Sequence, residues 1–260
     1  MKGWALITGA SEGLGQEFAR LAAAEGHDVI LSARQTAKLE ALAQTLRADF
    51  GVAVLCLPAD LSKPGAAETL WQSAEQAGCI SVLVNNAGLG RNGAFADPEG
   101  WAREAESIEV NIRAAALLMK RAAVAMAAAG GGRILNVASA AGFMPGPNMA
   151  VYHATKAFLL SLSEAAAVEL RGTGVSVTAL CPGATETNFF AADGQHRSTI
   201  LTRMPMGKPD TVARAGWAAM KAGRAVCVTG VQNKLAVLLV RLSPRWITAV
   251  ATGAFLKRRS

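Results

Sequence analysis

Short apolar runs alternate with helix-forming stretches along most of this 260-residue chain, and that alternation is the strongest constraint on its fold. Ala5–Thr8, Val29–Ser32, Val52–Leu57, Val82–Asn85, Arg133–Val137, Val175–Cys181 and Ala225–Thr229 read as strands. Between them, Gly13–Glu25, Thr36–Asp49, Gly65–Ala77, Trp101–Ala129, Tyr152–Arg171 and Thr211–Ala222 read as helices. Strands that are apolar throughout, rather than at every second residue, are buried on both faces, as in a parallel sheet covered by helices. Right-handed crossovers then give a doubly wound α/β architecture of about seven strands with helices on both faces. No linker or repeat divides the chain, so residues 1–230 read as a single domain and 231–260 as an extension.

Composition narrows the functional classes. Hydrophobic residues make up 52% and charged residues 17%, which excludes a disordered chain. Cys56, Cys79, Cys181 and Cys227 are far apart, no Cys-x-x-Cys pair occurs, and the three histidines have no ligand spacing with them. Neither a metal site nor a disulfide framework is expected. No apolar signal-peptide core follows Met1, so the expectation is a cytoplasmic protein. The formal net charge is +7, yet the nine Lys/Arg after Asp210 face no acidic residue in sequence, while the first 210 residues hold 17 basic and 19 acidic side chains. The excess is confined to the tail, so the high pI does not describe a basic domain and points to no nucleic-acid partner.

Directly after the first strand comes Thr8-Gly9-Ala10-Ser11-Glu12-Gly13-Leu14-Gly15. Glycines there allow a tight turn and a close backbone approach to a pyrophosphate, and the helix that follows presents unpaired N–H groups and a positive dipole end. The spacing is G-x-x-x-G-x-G, and its place at the head of a βαβ series makes a Rossmann-type dinucleotide site the reading over a plain turn. The second strand ends in Ser32-Ala33-Arg34, without the acid that would bind an adenosine ribose. Arg34 can instead pair with a 2′-phosphate, which favours NADP(H) with NAD(H) as the alternative. Glu12 argues the other way, because its charge repels phosphate.

Tyr152 is the single tyrosine, and Lys156 stands one helical turn beyond it. An ordinary phenol has a pKa of about 10, too high for efficient proton transfer near neutrality, and a neighbouring cation lowers it. His153 points about 100° away on the same helix and reads as packing or a loop contact. Cys181 ends an apolar strand and reads as core.

Taken together, these motifs resemble the classical short-chain dehydrogenases/reductases over roughly residues 4–230. The turn Thr8 to Gly15, including Ser11, Gly13 and Leu14, matches the family's cofactor motif. Asp60, followed by Leu61, matches the acid that contacts the adenine. Asn85-Asn86-Ala87-Gly88 matches the segment that ends the fourth strand, steadies the sheet and lines the cofactor site. Asn111, Ser139, Tyr152 and Lys156 match the catalytic set, and Pro182-Gly183 with Thr187 match the segment that meets the nicotinamide. The resemblance implies that Ser139 holds a carbonyl oxygen, Tyr152 acts as general acid/base, and Lys156 both lowers the Tyr152 pKa and binds the nicotinamide ribose. It also implies that Asn111 holds a water linking Lys156 to solvent. The extended epimerase and dehydratase class has a different glycine spacing and a longer chain.

The implied activity is hydride transfer between NADP(H) and a carbonyl or secondary alcohol, in a homodimer or homotetramer. A sensor or scaffold that kept the fold without turnover is the alternative, and an intact Asn-Ser-Tyr-Lys set speaks against it. Met144, Pro145, Gly146 and Pro147 border the substrate pocket in the family, and residues 186–208 correspond to its substrate lid. Asn188-Phe189-Phe190 and Met204-Pro205-Met206 in that lid suggest an apolar substrate. Beyond it, Leu235–Val240 and Trp246–Leu256 are apolar, separated by Arg241, Pro244 and Arg245, and followed by Lys257-Arg258-Arg259. Neither apolar part reaches the roughly 20 residues of a spanning helix. Residues 234–259 are therefore either a basic amphipathic element touching a membrane surface or a terminal helix packed on its own subunit or on a partner copy.

Overall fold

The computed structural model describes residues 3–186 and 206–256. Seven parallel strands form one sheet in the order β3-β2-β1-β4-β5-β6-β7. They are β1 (Trp4–Thr8), β2 (Asp28–Ser32), β3 (Val54–Cys56), β4 (Ile80–Asn85), β5 (Gly132–Val137), β6 (Val175–Cys181) and β7 (Val226–Val228). The helices between them are α1 (Leu14–Ala24), α2 (Thr36–Phe50), α3 (Ala66–Ala77), α4 (Trp101–Ile108), α5 (Ala115–Ala128), α6 (Ala150–Glu169) and α7 (Pro209–Lys221). Two further helices, α8 (Val231–Leu242) and α9 (Arg245–Leu256), close the chain. No described helix is long and apolar enough to cross a membrane.

Successive strand residues point to opposite faces, and both faces are apolar. Along β1, Ala5 and Ile7 enter the layer under α1, α2 and α7, where they meet Phe18, Leu39 and Trp217. Leu6 enters the layer on the other face with Trp71 of α3 and Leu118 and Met126 of α5. This double burial explains the uninterrupted apolar runs in the sequence. The third strand is shorter than the Val52–Leu57 expected, and just before it the Ala53 N–H donates to the Asp28 carboxylate at 2.8 Å.

The helix expected over Trp101–Ala129 is in three pieces, because a π-helical turn over Glu109–Ala114 separates α4 from α5. A single inserted residue of this kind leaves no mark on apolar periodicity, and such turns cluster at functional sites. It turns Asn111 inward, 1% exposed.

A buried polar chain ties the sheet to the helices beneath the carboxyl ends of the strands. Asn85 Nδ2 donates to Asn136 Oδ1 at 2.9 Å, Asn136 Nδ2 donates to Ser163 Oγ at 2.9 Å, and Ser163 Oγ donates to the Leu159 carbonyl at 2.6 Å. Buried networks of this kind help fix a unique packing, and removing one member strands the others. Asn136→Ala is expected to cost roughly 1–3 kcal/mol of unfolding free energy, measured by urea denaturation, with the denaturant slope unchanged.

Candidate active site

The strand order reverses at β1, which pairs with β2 on one side and β4 on the other. Helices leave such neighbouring strands toward opposite faces, and a crevice opens at their carboxyl ends. Here a continuous cleft of about 1330 Å³ occupies that position. This exceeds the ~300–1,000 Å³ of a typical single-ligand pocket and leaves room for a dinucleotide and a second molecule.

Thr8 and Asn86 build one wall. Thr8 Oγ1 accepts the backbone N–H groups of Asn86 and Ala87 at 3.0 and 3.1 Å and donates to the Val84 carbonyl at 3.3 Å. The Asn86 amide donates to the carbonyls of Thr8 and Gly9, both at 3.0 Å. The glycine turn is thereby held at its base. Gly9 and Gly13 have φ of 64° and 60°. A Cβ on Gly15 would lie 2.1 Å from the Gly9 carbonyl oxygen, so α1 starts in contact with the turn. No side chain caps α1, which leaves its first N–H groups directed at the cleft. An uncapped helix end behind a cradle too tight for side chains fits the pyrophosphate of a dinucleotide.

Gly9, Ser11, Gly13, Leu14, Arg34, Asp60, Leu61, Asn86, Ala87 and Gly88 line this half of the cleft. Thr8, Gly15 and Asn111 stand behind this wall and brace it. Thr187 and most of the lid lie outside the described residues. Glu12, the one feature set against a phosphate, donates its charge to a pair: Lys38 Nζ approaches its carboxylate at 3.2 Å. Burial pushes the Asp60 carboxyl up, but hydrogen bonds from Ser62 and the positive fields of Arg34 and Lys63 outweigh it, and its pKa lies below the ordinary value.

The other half of the cleft is built on α6 and the turn after β5. Ser139 is extended and precedes a 3₁₀ turn over Ala140–Phe143; its Oγ accepts the Ala141 N–H at 3.1 Å. The Ala140 N–H donates to the Pro182 carbonyl at 2.9 Å, which fixes Pro182-Gly183 against the same turn. Ser139 lies near enough to the Tyr152 hydroxyl to pull its pKa down. Lys156 is 4% exposed, donates to the Val137 carbonyl at 2.8 Å, and has its Nζ 5.8 Å from the centre of the Tyr152 ring. Gly88 lies between Lys156 Nζ and Asn111 Oδ1, since a Cβ there would sit 3.3 and 3.4 Å from them.

The sequence spacing predicts that Lys156 lowers the Tyr152 pKa. In the structure, burial pushes the phenol up to about 12 and Ser139 pulls back only part of this, while burial pulls Lys156 down to about 8. The Asn111 side chain is held on three sides. Its Nδ2 donates to the Leu89 carbonyl at 2.7 Å and to Thr155 Oγ1 at 3.0 Å, and its Oδ1 accepts the Leu89 N–H at 2.9 Å.

Thr155 completes that chain by donating to the Tyr152 carbonyl at 2.8 Å, which links Leu89, Asn111 and α6. Its signal was in the sequence: a threonine three residues after the tyrosine can back-bond to it within a helix. His153 is buried, with Nδ1 2.9 Å from the Met144 carbonyl, and Gly146 is packed so closely on its ring that a Cβ would collide at 2.2 Å. It holds the Met144–Pro147 loop rather than a proton in transit. Cys181 is fully buried, and burial pushes its thiol up to about 12, as suits a core residue. No motif pointed to Asn233, whose amide sits against Gly183 and donates to the Thr229 carbonyl at 2.7 Å. Val231, Ala251 and Phe255 also reach the cleft from α8 and α9.

A model of the short chain dehydrogenase family matches residues 3–198. The chain is a member of the short-chain dehydrogenases. This short-chain dehydrogenase is 36% identical over 186 residues to a 7beta-hydroxysteroid dehydrogenase of Collinsella aerofaciens, covering 71% of the chain and 69% of the relative. It superposes with a TM-score of 0.81 on a short-chain dehydrogenase from Sphingobium yanoikuyae solved with NADPH, at 32% identity over 92% of this chain and 93% of that one. A solved 7beta-hydroxysteroid dehydrogenase gives a TM-score of 0.86 at 28% identity, covering 96% of each chain. The protein is accordingly an oxidoreductase acting on CH–OH groups with a nicotinamide nucleotide as hydride acceptor.

The buried lysine makes stability depend on pH. The unfolded chain holds the Lys156 proton up to its ordinary value of 10.5, whereas the folded chain releases it near 8. Between those values the unfolded state binds more protons, so this group's contribution to stability rises with pH, from a cost of ~3 kcal/mol below pH 8 to none above 10.5. Urea titrations across that window are expected to show the rise in the wild type and to lose it in Lys156→Met.

Proposed function

We propose that this short-chain dehydrogenase is an NADP(H)-dependent carbonyl reductase/alcohol dehydrogenase with Tyr152 as its general acid/base. The observation that carries the reading is that Ser139, Tyr152 and Lys156 share one cleft with the glycine turn. With its pKa raised by burial, Tyr152 holds its proton across neutral pH, the protonation state that a donor to a carbonyl oxygen starts from, and a bound cation is needed to bring that pKa nearer the operating pH. Ser139, fixed by the Ala141 N–H, is suited to donate to the same oxygen and hold it against the phenol. Bound nicotinamide supplies the hydride in reduction and accepts it in oxidation. Lys156 has N–H groups beyond the one given to Val137 and would hold the nicotinamide ribose. The Leu89–Asn111–Thr155 chain sets the backbone from which Tyr152 projects, and we assign Asn111 to positioning.

Arg34 supports the NADP(H) preference. It lines the cleft, Glu12 nearby is paired with Lys38, and no acid follows β2 to claim a ribose. Met144, Met149, Val231 and Phe255 line the cleft and support an apolar substrate, consistent with the likeness to a hydroxysteroid dehydrogenase. Val124, Phe158 and Val168, exposed apolar residues of α5 and α6, support a homodimer or homotetramer.

Tyr152→Phe is expected to lower kcat for NADPH-dependent reduction of a ketone or aldehyde panel by at least ~100-fold while NADPH binding, followed by fluorescence, persists. Retained turnover would remove Tyr152 from the chemistry, and an inactive wild type that still bound NADPH would favour a sensor. Arg34→Ala is expected to weaken NADPH by about 1–3 kcal/mol with NADH unaffected. An unchanged NADPH/NADH ratio would exclude Arg34 as the discriminator.

A further inference from the structure

The outer surface of α8 and α9 is built against the usual pattern of a water-facing helix. Val231, Leu235, Leu238, Leu239 and Leu242 follow the spacing i, i+4, i+7, i+8, i+11 and are each between 53% and 81% exposed. At ~100° per residue they occupy one face about 100° wide. In an ordinary surface helix that face is polar and the apolar stripe points inward. The single buried residue of α8 is Val237, on a different face. Across Pro244 the apolar surface continues with Trp246, Ile247 and Val250 of α9, at 70%, 41% and 69% exposure. Eight of the fifteen large exposed hydrophobics among the described residues fall in this one region, which makes it a patch rather than scatter.

Cations border the patch. Lys234 and Arg241, two turns apart, run along one flank of the α8 stripe, and Arg245 opens α9. The chain has no acidic residue after Asp210. Glu164 of α6 stands 4.0 Å from Arg241, and Arg241 also lies over the Phe143 ring at 5.1 Å, so the inner edge of α8 rests on the turn that carries Ser139.

We propose that the outer face of α8 and α9 docks the protein on an anionic lipid surface. Apolar side chains at one face with Lys/Arg along its flank suit the boundary between acyl chains and negative headgroups, where a tryptophan such as Trp246 is also favoured. Each helix has 12 residues, which is too short to span a bilayer and long enough to lie on one. A second copy of the chain fits less well. A twofold contact through this patch would set its cations against the same cations, with no acid from α8 or α9 to oppose them. The inner sides of the same helices reach the cleft through Ala236, Ala251 and Phe255, so docking would bring the cleft's apolar wall next to lipid. The proposal stands whether or not the assigned cofactor preference and acid are right.

The test is co-sedimentation of the full chain with phosphatidylcholine vesicles and with mixed phosphatidylcholine–phosphatidylglycerol vesicles, alongside its mass in lipid-free solution. The wild type is expected to sediment with the mixed vesicles, less with phosphatidylcholine alone, and less at high salt. The double variant Leu235→Glu/Leu239→Glu changes two solvent-facing residues outside the cleft lining and is expected to partition at least roughly tenfold more weakly, with its solution mass unchanged. Arg245→Glu keeps the apolar stripe and is expected to weaken binding to the mixed vesicles alone. Failure of the wild type to sediment with the mixed vesicles would overturn the proposal, as would equal binding by the double variant. A drop in solution mass for the double variant would assign the stripe to a second copy instead.

Discussion

The Thr8 hydroxyl and the Asn86 amide take part in five hydrogen bonds between the carboxyl ends of β1 and β4, and the cleft depends on that clamp. Strands whose helices depart to opposite faces leave their ends without cover, and buried backbone groups there need partners. One hydroxyl and one carboxamide supply them. The glycine turn can then be tight enough for Gly15 to touch Gly9, and α1 can begin with its N–H groups unclaimed by a cap. Phosphate recognition in this protein is a consequence of how two neighbouring strands are finished.

The proton-bearing half of the cleft rests on a different balance. Tyr152 and Lys156 share a helix face, but burial acts on them in opposite directions, raising the phenol and lowering the ammonium. Desolvation therefore dominates the mutual attraction that their spacing suggests. The result is a phenol that keeps its proton at neutral pH and a lysine poised near the pH at which it changes charge. Asn111, Thr155 and the Leu89 backbone fix the helix that carries both groups. Position is supplied by hydrogen bonds at the back of α6, and the protonation state by burial at its front.

The extension beyond β7 joins the two halves to the surface. Asn233 packs on Gly183, Arg241 on Phe143, and Gly253 approaches Pro147. These contacts make α8 and α9 the outer wall of the cleft. Their other side carries the apolar stripe, so the same two helices have one face turned to the site and one to the surroundings.

The parallel sheet was legible in the sequence because burial on both faces requires uninterrupted apolar strands, and the glycine turn because left-handed φ and close backbone contact favour glycine at Gly9 and Gly13. The order and spacing of Asn111, Ser139, Tyr152 and Lys156 likewise identified the family before any coordinate. Other features depended on distances between segments remote in the chain. The π turn at Glu109–Ala114 keeps the apolar pattern of a helix, and Asn233 reaches Gly183 across fifty residues. The direction of the Tyr152 pKa depends on how much protein surrounds the phenol, which local spacing does not encode. Sequence alone determined the fold class and the chemical groups available, since these follow from local periodicity and residue type. Tertiary structure decided which groups line the cleft, which only support it, and which proton each one keeps, since those depend on burial.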